Sequence, residues 1–468
     1  MFNRAHTPCS SSVALASITG RSAETGAGPL CRGVMLVSPG WPPGEIASGI
    51  VSTVATAKKA LEALGVCCSV VSISQICRCE DWPNNVYHVA SFDRTTRVQK
   101  VLQKLKNRLR QIAAAEEQVG AEMYPRIQIP GFEAALASIQ RRQRVDLIEV
   151  EESFGLPNCV PRHSRLPVVA RLHGPWFLTG AASGAERNHA FHNRVRAEGA
   201  ATINANGVSS PSRFVLRAVE EQYQTKLRTS AVIPNAVEAV AESSLWNPKT
   251  ADPDHVLFVG RFDRIKGADV CLRAFAKVLE QRPQARLTFV GPDQGIVGGE
   301  SGRLRYAEEW LRSELASTLL RSRISLRGRL CRNEITSLRR EAAVTIVPSR
   351  FENFPNTVLE CMAQGCPLVA SRVGGIPEII EHERNGLLCA KEDVDDLAAK
   401  ILYVLNNRSL AANLGSNALQ DSLVHFSPPA VARQTLEFYE EVCSKRSASV
   451  STSHSNGKCV LPGEHMTA

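Results

Sequence analysis

Short apolar runs recur along this chain, and stretches of helical spacing separate them. Gly33-Val-Met-Leu-Val-Ser38 is closed by Pro39-Gly40 and predicts a buried strand. A Pro- and Gly-rich loop over 41–49 follows, then apolar positions at helical spacing over 50–64, a stop at Gly65, and a second strand pattern over 66–73. Further strands are predicted at 145–150, 167–172 and 201–205, and the segment 231–235 closes this half. The same order then restarts: strand 254–260, helix 269–282, strand 285–291, and strands at 324–328, 344–347 and 367–370. Strands alternating with helices predict doubly wound parallel sheets. The polar stretch between Trp246 and Pro253 reads as the linker between two Rossmann-like halves with a cleft between them.

This organisation predicts a tail over 1–30, a first Rossmann-like domain over 31–240 and a second over 241–426. A last helix over 427–443 is expected to cross back to the first domain, and 444–468, rich in serine, is expected to be disordered. At 468 residues the chain is too long for one ordinary core. Its 44% hydrophobic and 22% charged content is that of a globular α/β protein. A net charge of +9 over this length does not argue for nucleic acid, which is not an expected partner. The 14 cysteines are scattered without paired Cys-x-x-Cys units, which fits reduced thiols in a cytoplasmic protein; Cys77-Arg-Cys79 is a weaker redox or metal candidate. No run reaches the length of a membrane-spanning helix.

Candidate chemistry lies after the predicted strands, where open α/β sheets bind ligands. Glu352 falls in a strand-to-helix loop, and Glu360 in the helix that follows. Two carboxylates there suit a polyhydroxylated ligand. Arg261 and Lys266, in the loop after the first strand of the second half, are a seat for a diphosphate or, equally, a solvated basic pair. The order required for a P-loop is missing. Gly374-Gly375 permits a tight turn and close approach to a ligand, or simply starts the next helix. Asp252-Pro-Asp254 looks like a metal-binding pair but enters a strand instead of leaving one, so no metal site is expected there.

Taken in order, these pieces resemble glycosyltransferase family 4, the retaining nucleotide-sugar transferases of the GT-B fold. The matching elements are Val259-Gly-Arg261 with Lys266-Gly267, Glu352 and Glu360 with seven residues between, Gly365-Cys-Pro-Leu-Val-Ala-Ser371, Val373-Gly-Gly-Ile-Pro-Glu378, and Asn385-Gly386-Leu-Leu. They span most of the second half, and the Glu-Asn-Phe-Pro-Asn-Thr variant is most similar to bacterial enzymes of surface or extracellular polysaccharide assembly. The resemblance implies that Arg261 and Lys266 hold the departing diphosphate, that Glu352 faces the transferred sugar, and that Glu360 binds the ribose. It places the backbone of Asn353, Phe354, Asn356 and Thr357 near the phosphates, and Arg329 and Leu330 at the base pocket. In the first half, His173-Gly174 matches the family's inner-cleft pair, although a lone histidine reads equally as structural. Ser48-Gly49 stands where many members carry Gly-Gly near donor and acceptor, and Pro43-Gly44 belongs to the same loop. Glu149 and Glu151 are acceptor-side candidates, and Ser210-Pro-Ser-Arg213 resembles the segment before the domain crossover.

The resemblance implies a UDP- or GDP-sugar donor as co-substrate, no metal and no other cofactor, and a glycan or lipid-linked acceptor. Arg94, Arg97, Lys100, Lys104, Lys106, Arg108 and Arg110 share a stretch free of acidic residues with Val98, Val101, Leu102, Leu105, Leu109 and Ile112 at helical spacing. This basic amphipathic helix is either a solvated surface helix or a dock on an anionic membrane, which would make the protein peripheral on the inner face. Two other classes compete: a dinucleotide-dependent oxidoreductase, and a glycan-binding GT-B protein without activity. Neither half shows Gly-x-Gly-x-x-Gly after its first strand, against the former. The intact set of Arg261, Lys266, Glu352 and Glu360 argues against the latter.

Overall fold

The computed structural model describes residues 31–43, 48–73, 85–92, 129, 131–297, 304–314 and 318–455. The strands β1 (Gly33–Ser38), β2 (Cys67–Ser72), β3 (Val86–His88), β4 (Leu147–Glu151), β5 (Val168–Arg171), β6 (Gly207–Ser210) and β7 (Ser230–Val232) form a parallel sheet in the order β3-β2-β1-β4-β5-β6-β7. Every residue of β1 is buried, because both faces are covered. Val34 and Leu36 pack on Leu61 and on Phe438, Tyr439 and Val442, while Met35 and Val37 pack on Phe132, Leu136 and Ile139.

The second sheet restarts with β8 (Asp252–Val259) and β9 (Arg286–Val290). A two-stranded antiparallel ribbon, β10 (Ile296–Val297) and β11 (Leu304–Arg305), stands apart from it. The sheet continues with β12 (Ile324–Leu326), β13 (Ala342–Val347), β14 (Leu368–Ser371) and β15 (Leu387–Cys389), in the parallel order β12-β9-β8-β13-β14-β15. Phe258 and Phe289 stack at its centre with ring centroids 4.1 Å apart. Strand order reverses between β1 and β4 in the first sheet and between β8 and β13 in the second, which opens a crevice at the carboxyl ends of both pairs. Hydrogen bonds join loops at the carboxyl ends of the two sheets, so those ends face each other.

Three expectations need correction. The stretch 201–205 is not a strand; its first four residues end the helix His189–Asn204, and the strand is the next segment, β6. Phe191, Val195, Glu198, Gly199, Ala201 and Thr202 are the buried positions of that helix, and this helical period outweighs the β-branched Thr202-Ile203 pair. The stretch between Trp246 and Pro253 is not a free linker. The indole N–H of Trp246 donates to Ala342 O at 2.7 Å, its backbone N–H donates to Gln364 O at 2.8 Å, and Asp252 already opens β8. The chain crosses earlier, where Val237 N–H donates to Phe426 O at 2.8 Å. The last helix does not stop at 443 but spans Pro428–Ser455; Tyr439 and Val442 carry it onto the first sheet.

The basic segment 94–112, Cys77, Cys79 and Gly44 lie outside the described residues. Among the described residues, no helix is long and apolar enough to cross a membrane.

Candidate active site

Two loops meet at the crevice of the second sheet. The loop after β8 carries Arg261 and Lys266, and Asp263 shapes it: its carboxylate accepts from Arg261 Nε at 2.6 Å and from the Lys266 backbone N–H at 2.8 Å. Gly267 ends the loop at φ +67°, and a Cβ there would stand 1.9 Å from Pro348 O, so only glycine lets this loop touch the one after β13. Arg350 staples the two. Its backbone N–H donates to Ile265 O at 2.7 Å, and its buried guanidinium donates to Arg264 O and forks onto Asp269 at 2.7 and 2.8 Å.

This contact brings together two residues 86 positions apart. Lys266 Nζ lies 2.6 Å from Glu352 Oε1, which also accepts from Ser349 Oγ at 2.8 Å. The Glu352 side chain is 10% exposed and that of Lys266 27%, so the pair sits at the crevice floor with one side open. The Gly374-Gly375 turn backs it. Gly375 N–H donates to Glu352 O at 3.1 Å, and a Cβ on Gly374, at φ +53°, would be 1.8 Å from the same oxygen.

The chain then enters the helix Asn356–Ala363 through Pro355, with no side-chain cap. The backbone amides of Asn356 and Thr357 donate to no described group and are left for an anion. Glu360 lies one turn on, a third exposed, with one oxygen paired to Nη2 of the buried Arg339. Arg329 is exposed on the rim after β12, and Leu330 is half-buried against Leu257, Val290 and Ala342.

The first sheet grips this loop. Asn353 Nδ2 donates to Leu172 O at 2.9 Å and His173 O at 3.2 Å, while its Oδ1 accepts from Ser212 Oγ at 2.6 Å. Asn235 Nδ2 donates to Phe354 O at 3.1 Å, and Asn356 Nδ2 donates to Gly49 O at 3.3 Å, beside Ser48. The Phe354 ring is turned into the core against Phe426, so only its backbone faces the crevice. The side chain of Asn353 is likewise spent on the domain contact.

His173 sits at the turn after β5. Its backbone N–H and that of Gly174 donate to the two oxygens of Glu152, at 2.8 and 2.7 Å. Burial, and then the charge of Arg171, push the His173 imidazole down to about 3, so it is neutral at ordinary pH. Glu152, buried beside Glu198, is pushed up to about 8, first by burial. Glu151 is pushed up to about 7, again by burial, while its bond from Ser153 Oγ opposes the shift.

Glu149 is a correction to the acceptor-side expectation. Its carboxylate accepts from Tyr439 OH at 2.9 Å under the last helix, away from the crevice. Asp252 and Asp254 are paired with Arg286 and Arg282. Among the described residues, no cluster of three or more His, Cys, Asp or Glu side chains is arranged to hold a metal.

Sequence reasoning missed Asp263, Arg350, Arg339 and Glu152. Arg350, Arg339 and Glu152 act through partners that the fold supplies. Asp263 lies between Arg261 and Lys266, so its partners were local, and the acids Glu149, Glu151 and Glu152 hinted that this strand end was unusual.

Residues 245–421 match the family model described as Glycosyl transferases group 1. D-inositol 3-phosphate glycosyltransferase of Thermobifida fusca is 41% identical over 144 residues, 31% of this chain and 32% of that protein. The enzyme of the same name from Nocardiopsis dassonvillei is 30% identical over 265 residues, 54% of this chain and 60% of that protein. The matches thus span about a third to three-fifths of these relatives' own length. Sucrose-phosphate synthase from Thermosynechococcus elongatus superposes with a TM-score of 0.63 at 21% identity, covering 88% of this chain and 100% of that one. Anabaena HepE, solved in complex with UDP, superposes at 0.59 and 19%, covering 87% and 98%. The architecture is that of the GT-B glycosyltransferases.

Proposed function

We propose that this protein is a retaining glycosyltransferase of family 4, moving a sugar from a nucleotide diphosphate sugar to an acceptor hydroxyl in bacterial glycan assembly. The observation that carries the reading is the Lys266–Glu352 pair, 2.6 Å apart, beside the unspent amides of Asn356 and Thr357. A cation and two free N–H groups form an anion seat, and a carboxylate at its edge is placed for sugar hydroxyls.

In this reading the diphosphate takes the two amides, draws Lys266 away from Glu352 and recruits Arg261. Glu352, released, binds the transferred sugar, while Glu360 binds the ribose with its exposed oxygen. As the bond to the leaving phosphate lengthens, charge grows on that phosphate, and Arg261, Lys266 and the helix amides stabilise it electrostatically. The acceptor hydroxyl attacks from the same face and its proton passes to the leaving phosphate. No covalent nucleophile and no metal are required. Neutral His173 offers hydrogen bonds to the donor sugar without adding charge. Closure of the two halves over bound donor would exclude water, which suppresses hydrolysis of the donor.

A uridine donor is favoured by the complex of HepE with UDP. Relatives named D-inositol 3-phosphate glycosyltransferase are consistent with a polyhydroxylated anionic acceptor. The test is thermal stabilisation, since a ligand bound only by the native state raises its midpoint. UDP or GDP should raise it and NAD should not. Stabilisation by NAD alone would overturn the reading.

A further inference from the structure

A groove of about 1160 Å³ opens on one flank of the crevice, outside the anion seat described above. Its walls are the helix Trp176–Ser183, the helix Arg213–Gln222 and the Gly374–Glu378 turn. It adjoins the reaction centre, because Gly374 lines it and packs against Glu352 O.

The lining is unusual in its charges. Arg213 and Arg217 are exposed, and neither guanidinium has a partner among the described residues. They stand four apart on one helix, so both reach the same groove, about 6 Å from each other at their Cβ atoms. Glu378 also lines the groove but makes no ion pair with either arginine among the described residues. Its two oxygens accept from the backbone N–H groups of Arg213 and Phe214, at 2.8 and 2.7 Å. Glu221, four residues beyond Arg217 at the end away from Gly374, also lines the groove and makes no ion pair with Arg217 among the described residues. Phe214 is 43% exposed at the groove edge, its ring centroid 6.4 Å from that of Phe351, and Phe177 lines the groove with it. Two free guanidinia match a carboxylate or phosphate, and an exposed aromatic face suits the C–H face of a sugar ring.

We propose that this groove binds an anionic saccharide, the acceptor side of the transfer reaction; as an acceptor site it rests on the function proposed above. The acidic group pairs with Arg213 and Arg217, a ring lies on Phe214, and the far end of the saccharide points past Gly374 toward Glu352. Both arginines stand on a helix of the N-terminal half, so acceptor and donor are held mainly by different halves.

The experiment is calorimetric titration of the full chain with three saccharides of equal length: one containing glucuronate, one ending in a phosphomonoester, one neutral. The acidic ligands should bind, more weakly as salt rises, and the neutral one should bind about tenfold weaker or worse. The comparison of the two acidic ligands identifies which acid the groove takes. Arg213→Gln with Arg217→Gln should weaken the acidic ligand by about tenfold or more, and Phe214→Ala should weaken all three. UDP or GDP stabilisation should be unchanged in these variants, which also certifies their fold. Equal affinity for the neutral saccharide, an unaffected arginine double variant, or no binding of either acidic ligand would overturn the proposal. If nucleotides bind and neither acidic saccharide does, the groove proposal falls alone. If acidic saccharides bind through Arg213 and Arg217 but neither nucleotide does, the transferase reading falls and the groove stands as a saccharide site.

Discussion

Asn353 offers the sharpest test of how the two halves are joined. Its amide is 5% exposed and makes bonds of 2.9 and 3.2 Å to two carbonyl oxygens of the first half and accepts one of 2.6 Å from Ser212. At about 1 kcal/mol for each neutral hydrogen bond, Asn353→Ala should cost about 2–3 kcal/mol. Asn353→Asp is nearly isosteric and keeps the acceptor for Ser212, yet it should be worse than alanine. The new oxygen would face Leu172 O and His173 O with no proton between, adding about 1–3 kcal/mol for an unsatisfied buried group. The order of urea midpoints should therefore be wild type, then Ala, then Asp, at unchanged slope. Lowering the pH should narrow the gap between Asp and Ala, since a protonated Asp can donate again. An Asp variant as stable as wild type would refute the assigned amide orientation and the contact built on it.

Other expectations follow from the same geometry. Gly374→Ala puts a Cβ 1.8 Å from Glu352 O at φ +53°, so it should lose stability and displace Glu352; the melting midpoint and nucleotide affinity should fall together, and an unchanged pair of values would contradict the packing. His173 is held neutral, its pKa depressed from 6.5 to about 3, so its contribution to stability is full above about 6.5 and is lost as pH falls toward 3. His173→Asn should flatten the stability profile in that window, and an unaltered acid limb would show that the imidazole is not desolvated. A last expectation rests on the sequence alone: if 94–112 docks on an anionic membrane, reversing the charges of Lys100, Lys104, Lys106 and Arg108 should abolish co-sedimentation with anionic vesicles, and retained binding would sink that docking.

The sequence was most legible where chemistry and secondary structure coincide. Glu352, Arg261 and Lys266 could be placed in loops because each follows an apolar run closed by Pro or Gly. What joins them was not legible. Arg350 reads as one more surface arginine until Asp269, 81 positions away, appears opposite its guanidinium. Glu149 shows the converse failure. A strand-end glutamate looks like a ligand group, but Glu149 shares a face of β4 with Leu147, and that face is covered by the last helix, nearly 300 residues downstream. The error at 201–205 has the same root, since Thr202 and Ile203 favour a strand only when the helical burial begun at Phe191 is ignored. The edge strands β3 and β15 escaped because three residues are too few to show a period unless, as after β12, a glycine closes the run.

The central claim is a division of labour between two glutamates on one strand-to-helix connection. It is tested by following nucleotide release from a panel of UDP- and GDP-sugars, resolved into kcat and KM, for wild type, Glu352→Ala and Glu360→Ala. Loss of Glu352 should lower kcat by about 10²-fold with little change in KM, as removal of a group acting on the reacting sugar does. Loss of Glu360 should raise KM and leave kcat nearly intact, because its bond to the ribose is the same in ground and transition states. Equal effects of the two substitutions on both constants, or release undiminished by either, would contradict the account.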